Sequence, residues 1–271
     1  VYPEDAEDQI ENPDYRDLRT FQSFKWKNLD MIDKALIINS HSSNIECLNL
    51  FFFCFETFIG QDYFNSVYLF IDECDYIPPK YAKVINYDKK DSFKDQMVYC
   101  LSHVQEDILL YWNEDYLFYD AARIDIADKT LEELVNSELS FIKFCHTDIE
   151  EYLEYKPNLL LIDKNCKNTF SQTLSFWKTP DLLKIHENCP RSEIGAKGDI
   201  FGHLEVAAID VCKTLDVKGV CYYNNEPKRG MVHFDTEVFP HIASAIERGG
   251  RWTADYPKEL EKVIKLYNEN Y

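Results

Sequence analysis

The 271-residue sequence is short of positive charge: 29 lysines and arginines stand against 48 aspartates and glutamates, a formal net charge of −19. A protein that grips nucleic acid along its length needs a basic stripe to neutralise phosphates and release counterions. Broad polyanion binding is therefore a poor first expectation. The sequence also lacks an uninterrupted apolar run of membrane-spanning length, on the order of 18 residues; its longest candidate, Leu48 to Phe58, is too short and is broken by Glu56. The expectation is a soluble, cytoplasmic protein with no membrane span. No pair of cysteines has CxxC spacing. Nine cysteines standing singly, mostly in apolar runs, argue against structural zinc and for reduced, buried thiols. No internal repeat, low-complexity tract or linker interrupts the chain. It starts at Val1 without a basic and then apolar leader pattern, so either a start residue was removed or a longer parent was trimmed.

What is present is a chain 45% apolar and 15% aromatic, enough for one sizeable core. Residues 1–32 read as an irregular lead-in rich in acidic, amide and aromatic side chains. From Lys34 onward, short apolar runs alternate with helical patterns: a strand at 35–39, a loop Asn39-Ser40-His41-Ser42, a long apolar helix from 45 to 58, and strands at 67–71 and 83–87. Phe93, Met97, Cys100, Leu101 and Val104 recur at helical spacing, which predicts an amphipathic helix over 92–104. A fourth strand at 108–112 runs into Asn113-Glu114-Asp115. Such alternation predicts parallel strands covered on both faces.

Further on, the pattern gives a helix around 130–136, a strand at 141–145, an acidic segment at 148–155, a strand at 158–162 and the segment 171–177. A helix follows from Pro180 with Thr179 as N-cap, then a helix over 199–215, a strand at 220–223, and a largely helical stretch over 239–271. The expected organisation is a lead-in (1–32), one main unit (33–245) and a C-terminal helical extension (246–271).

Asn113-Glu114-Asp115 is the strongest chemical signal. In open α/β sheets ligands bind beyond the carboxyl ends of the strands, and paired acids there are costly unless they meet a cation or a proton. A divalent ion such as Mn2+ or Mg2+ takes oxygen ligands and keeps open positions for phosphate oxygens. The alternative is that these acids cap the next element or face solvent.

The segment Ile108-Leu109-Leu110-Tyr111-Trp112-Asn113-Glu114-Asp115-Tyr116 resembles the strand-terminal EDY motif of a viral and bacterial family of GT-A type glycosyltransferases. Three further patches stand in the same order: Asp91-Ser92-Phe93; Ser171-Gln172 with Trp177; and Arg229 to Asp235, followed by Gly249-Gly250-Arg251-Trp252 and Tyr256-Pro257. The resemblance covers roughly residues 33 to 260 in patches and implies a GT-A-like three-layer α/β/α sandwich with a mostly parallel central sheet. It further implies a nucleotide-sugar-dependent glycosyltransferase, with a UDP-sugar as the first choice of donor and Mn2+ or Mg2+ on its diphosphate.

The metal contact falls on Asp115, with Glu114 behind it on the donor side; Asn113 departs from an Asp-x-Asp form. His233 lies where such enzymes carry a late histidine that reaches the metal or the diphosphate, and is otherwise an ordinary loop histidine. Inverting transfer needs a carboxylate to take the acceptor's proton, for which Glu205 is the candidate base and Asp199 the reserve. Either is otherwise a helix-start acid favoured by the macrodipole. Donor contacts are expected from Asn39, Ser40, His41, Asp72, Asp91 and Lys94, and from Arg229 and Arg251 on the diphosphate. Acceptor contacts are expected from Gln172 and Trp177, although a tryptophan in an apolar segment is more often core.

The acceptor is a hydroxyl of a glycan or, second, of a modified DNA base. The composition suits an AT-rich viral or bacterial source. Two rivals remain: a nucleotidyltransferase, which would normally show a Gly-rich basic loop where Asn39 to Asn44 has neither glycine nor lysine, and a non-catalytic binding module on the same scaffold. Oligomeric state is not legible.

Overall fold

The structure, a computed structural model, describes residues 32–164, 166, 169–171, 173–190, 200–230, 233–247 and 251–270. Of the lead-in expected over 1–32, all but Ile32 lies outside them. The first half follows the apolar pattern: β1 (Lys34–Asn39), α1 (Ile45–Phe58), β2 (Ser66–Asp72), β3 (Ala82–Tyr87), α2 (Phe93–Ser102) and β4 (Ile108–Asn113). Every residue of β2 is buried, as is all of β1 but Lys34, so these strands are covered on both faces. Ser92 caps α2, its hydroxyl accepting from the Asp95 amide.

The second half runs β5 (Leu117–Phe118), α3 (Ile124–Val135), β6 (Phe141–Lys143), β7 (Tyr152–Lys156), β8 (Leu159–Ile162), β9 (Ser175–Lys178), α4 (Thr179–Asn188), α5 (Ile200–Thr214) and β10 (Gly219–Tyr222). It closes with the two-residue strands β11 (Lys228–Arg229), β12 (His233–Phe234), β13 (His241–Ile242), β14 (Ile246–Glu247) and β15 (Arg251–Trp252), then α6 (Pro257–Asn270).

One nine-stranded sheet has the order β3-β2-β1-β4-β9-β6-β10-β8-β7. Its strands share one direction except β9 and β8, which pair antiparallel with both neighbours. Leu36, Ile38, Leu69, Leu110 and Trp112 face one layer, with the buried residues of α1, α3 and α6. Ala35, Ile37, Phe70, Leu109 and Trp177 face the other, with those of α2, α4 and α5. This is the three-layer α/β/α sandwich with a mostly parallel sheet that the sequence predicts. Leu260 and Val263 of α6 belong to the same apolar cluster as α1, so α6 packs onto the shared core. At Gly219 on β10, a Cβ would lie 1.9 Å from the Phe141 ring, which is stacked on Trp177, so only glycine fits there.

Three expectations are corrected. Among the described residues of 239–271, the helix is confined to α6. Residues 239–246 turn and pair instead, through β13 with β5 and a left-handed Ser244 at φ 51, and β14 pairs with β15. The acidic segment 148–155 contains most of β7, an edge strand joined to β8 by the turn Pro157-Asn158, with Asn158 at φ 62. Thr179 does not cap α4: Lys178 holds the N-cap position, and the Thr179 hydroxyl donates to the Glu106 carbonyl at 2.7 Å.

Candidate active site

Because β1, β2, β3, β4, β6 and β10 point the same way, the segments after them gather along one sheet edge, and α1, α2 and α5 start there. After β1, the Ser40 amide bonds the Phe70 carbonyl of β2 at 2.9 Å, and the Tyr87 hydroxyl of β3 donates to the Ser40 carbonyl at 2.7 Å. The Ser42 hydroxyl donates to Asp72 at 2.7 Å, its amide bonds the other carboxylate oxygen, and His41 lies 3.7 Å away. Burial works to raise the Asp72 carboxyl, but the Ser42 bonds and His41 outweigh it and hold it below the ordinary range. Asn39 and Ser40 are buried beside this cluster, whereas the His41 ring is half exposed.

After β4 the chain turns tightly. The Tyr116 amide bonds the Asn113 carbonyl at 3.1 Å, and the buried Trp112 indole donates to the Tyr116 carbonyl at 2.7 Å. The turn sets Glu114 and Asp115 at the sheet edge. Glu114 is 6% exposed and accepts from the Asn44 amide, and the Cys47 thiol donates to the Glu114 carbonyl. Burial first, and the Asp115 charge second, push the Glu114 carboxyl up to about 7; Asn44 and the nearby Ser40 hydroxyl act against this. Burial likewise pushes Asp115 up to about 6. No lysine or arginine pairs with either acid among the described residues.

Tyr116 stacks on His241 with ring centroids 5.2 Å apart. Its phenol is pushed well up, by burial first and then by Cys145, Asp115 and Glu205. Tyr116 thus connects the acid turn to a cavity of about 390 Å³ whose walls include Cys145, Thr147, Glu150, Ser171, Glu205 and His233. Glu205 projects from α5 and His233 from β12. The His233 ring is bonded to the Tyr256 hydroxyl at 3.0 Å and stacked parallel to that ring, and burial lowers its pKa. Tyr111, buried on β4 near Glu114 and Glu205, has a hydroxyl without a hydrogen-bond partner.

Thus Asn39, Ser40, His41, Asp72, Glu114 and Asp115 share one edge, and Glu205 and His233 share the adjoining cavity. Other expected residues stand apart. Arg229 is bracketed by Asp235 at 3.2 Å and Glu259 at 3.0 Å and lies over the Tyr256 ring. Arg251 is exposed on the β14–β15 hairpin, which is rooted where the Ala245 amide bonds the Asp115 carbonyl at 2.6 Å. Asp91 is exposed in the turn before α2, and Lys94 sits in the first turn of that helix with its charge near Cys189. Trp177 is 2% exposed, stacked on Phe141 in the core at 4.3 Å, and does not line the cavity. Asp199 and Gln172 lie outside the described residues.

Sequence reasoning missed Thr147, Glu150 and Ser244 as cavity residues. Glu150 is buried against Lys143 of β6 and accepts from the Tyr152 hydroxyl, which in turn accepts from the Thr147 amide at 3.2 Å. The visible signal was a lysine inside the apolar run Phe141 to Cys145, which demands a nearby acid.

Among the described residues no group of three His, Cys, Asp or Glu side chains forms a metal cage. The acid turn fits a different mode, in which an ion of the Mg2+ or Mn2+ kind is held by one or two carboxylates and substrate phosphates. A buried and a half-buried acid, both with raised pKa and no paired cation among the described residues, are the donor set such an ion would favour. Among the described residues no helix is long and apolar enough to cross a membrane. No disulfide joins the described cysteines, and all but Cys74 are buried.

No protein-family model and no curated protein sequence matches the chain. Among solved structures, it is similar to a CMP:2-keto-3-deoxy-manno-octonic acid synthetase complexed with CTP, at 12% identity and a TM-score of 0.46, over 88% of this chain and 100% of that one. It is also similar to the mannosyltransferase PcManGT from Pyrobaculum calidifontis in complex with GDP-Man and Mn2+, at 12% identity and a TM-score of 0.43, over 73% of this chain and 58% of that one.

Proposed function

We propose that this chain is a nucleotide-sugar-dependent glycosyltransferase, acting on a hydroxyl acceptor. The observation that carries the reading is the acid pair at the carboxyl end of β4, Glu114 buried and Asp115 half-buried, with no cation paired to either among the described residues, joined through Tyr116 to a cavity that holds Glu205 and His233. In this reading the nucleotide lies over the loops after β1 and β2, where Ser42 and Asp72 are already locked together. Asp115, with Glu114 behind it, would hold a divalent ion, which when bound supplies positive charge to the diphosphate. Glu205 takes the acceptor proton, Asp199 being the reserve, and His233, held by Tyr256, orients the group that enters the cavity.

The test is thermal denaturation with UDP, GDP, dTDP, CMP and their sugars, with and without Mn2+, followed by product analysis. A nucleotide at about a hundredfold its Kd stabilises by ~2.7 kcal/mol, an easily read shift. The expected outcome is a Mn2+-dependent shift with one nucleotide that Asp115→Asn abolishes, and sugar transfer that Glu205→Gln abolishes. Pyrophosphate release from a nucleoside triphosphate would mark nucleotidyl transfer instead. If no nucleotide shifts the transition and Asp115→Asn changes nothing, the reading is wrong.

A further inference from the structure

The cavity beyond Tyr116 has a composition that restricts what enters it. We propose that it seats a neutral, hydroxyl-bearing sugar ring and rejects anionic ones, with the Thr147 hydroxyl as a specificity-determining contact. The inference rests on the glycosyltransferase reading for its place in a reaction, and narrows the substrate of that site.

Three observations carry it. The first is charge. Among the described residues no lysine or arginine lines the cavity, whereas the carboxylates of Glu150 and Glu205 do. The nearest buried cation, Lys143, is consumed by its pair with Glu150. An anionic group inside would lie beside the Glu150 and Glu205 carboxylates, with no lysine or arginine of the described residues on the cavity wall to offset it, and low-dielectric walls strengthen that repulsion.

The second is an unmet hydrogen-bonding group. Thr147 is 7% exposed, lines the cavity, and its hydroxyl has no hydrogen-bond partner among the described residues. Its backbone is already pinned, the amide to Tyr152 and the strand bridge to His233. A buried hydroxyl left unpaired is costly unless a ligand completes it. Ser171 and Thr173 add a second pair of hydroxyls, 3.2 Å apart, on the same wall.

The third is apolar surface facing these hydroxyls. Phe170 and Ile209 line the interior, while Val206, 67% exposed, and Ile149, 51% exposed, stand at the mouth. A few placed polar groups in an apolar wall are the usual design of a small-molecule site, and about 390 Å³ lies at the lower end of the usual size range. A pyranose, with hydroxyls around its rim and C–H faces, matches that wall. A charged duplex does not, so among acceptors the cavity favours a neutral glycan over modified DNA.

Ligand-observed NMR titrations test this on the intact protein. The probes are methyl mannoside, methyl galactoside and N-acetylglucosamine, each against an anionic ring: mannose 6-phosphate, galacturonate and N-acetylneuraminate. Neutral rings should bind about tenfold or more tightly than anionic ones. Thr147→Val keeps the shape and removes the unpaired hydroxyl, so it should fold with an unchanged or higher Tm while weakening ring binding about fivefold, the size of one neutral hydrogen bond. Ser171→Ala should weaken it similarly.

Two arms separate the source of the ring. Loss of free-glycoside affinity marks the acceptor's seat, and loss of nucleotide-sugar affinity with the bare nucleotide unaffected marks the donor's. The proposal is overturned if anionic rings bind as tightly as neutral ones, if no neutral ring binds in either arm, or if both variants bind like the wild type. The glycoside arm needs no nucleotide, so an absence of nucleotide binding would sink the glycosyltransferase reading alone. Nucleotide binding without any ring contact would sink the present inference alone.

Discussion

Two regions of one sheet edge settle buried charge in opposite ways. After β4, buried Glu114 and half-buried Asp115 stand together with no cation paired to them among the described residues, and both carboxyls are pushed up, to about 7 and about 6. After β6, Glu150 is just as buried but carries its own counter-ion in Lys143, and Arg229 nearby is divided between Asp235 and Glu259. The first region has an electrostatic demand that an external cation would meet. The second is internally compensated and presents hydroxyls, so the proposed function divides along the edge: charged donor chemistry at β4, neutral recognition beyond β6.

The largest effect should come from breaking the compensated region. Lys143→Ala leaves Glu150 buried and unpaired, and removing one partner of such a pair costs about 3–5 kcal/mol. Lys143→Met combined with Glu150→Leu should recover most of that loss, because an apolar replacement of a buried pair is often neutral. Urea denaturation of both variants is the measurement, and equal stability of Lys143→Ala and the wild type would remove the contrast between the regions.

The second effect is the pH response of the uncompensated region. Folding raises these carboxyls above their unfolded values, so the folded state holds protons that the unfolded state has released. The stability they contribute is fully present below about pH 4 and is lost as pH rises through about 6 to 7, by on the order of 3 kcal/mol for each carboxyl. Asp72, held below the ordinary range, contributes in the opposite sense, its stability being lost at pH below its usual value. The difference between the wild type and Asp115→Asn isolates the first effect: the variant should gain on the wild type from about pH 4 to 7. Mn2+ should narrow the gap by stabilising only the wild type. A gap that stays constant across this range would show that Asp115 carries no raised carboxyl.

Within the β4 region, Ser42→Ala removes a charge-assisted bond to Asp72 and should cost about 2 kcal/mol. The loss should fade in acid, where Asp72 is protonated in both states. A pH-independent loss would point to packing in place of the carboxylate bond.

How much of this was legible in the sequence follows the range of the interactions involved. Leu36 and Ile38 face one layer while Ala35 and Ile37 face the other, and Phe93, Met97, Cys100 and Leu101 bury one side of α2; these patterns are local and were read correctly. The turn after β4 was also readable, because acids ending a buried strand are conspicuous. The region around Thr147 was not. Its strand β7 is a charged edge strand with exposed Leu153 and Tyr155, so its pattern resembles a loop. The segment 239–246 takes its form from pairing with Leu117 and Phe118, more than a hundred residues earlier in the chain, which no local periodicity reports. Trp177, read as an acceptor contact with the core as the alternative, sits among apolar neighbours that only the antiparallel insertion of β9 explains.

The smallest effect discriminates most sharply, because its sign is reversed. Thr147→Val removes a buried hydroxyl that pairs with nothing in the free protein. Deleting one partner of a made bond costs stability, but deleting a group that is already unpaired removes a desolvation penalty, a gain of about 1 kcal/mol. Ser42 and Thr147 are both small hydroxyl residues in loops after parallel strands, so propensity and size cannot account for opposite outcomes. If Ser42→Ala destabilises and Thr147→Val stabilises while weakening sugar binding, the first hydroxyl serves the fold and the second serves the ligand. If both destabilise, Thr147 is structural, and the cavity's selectivity must come from Glu205 and the apolar wall alone.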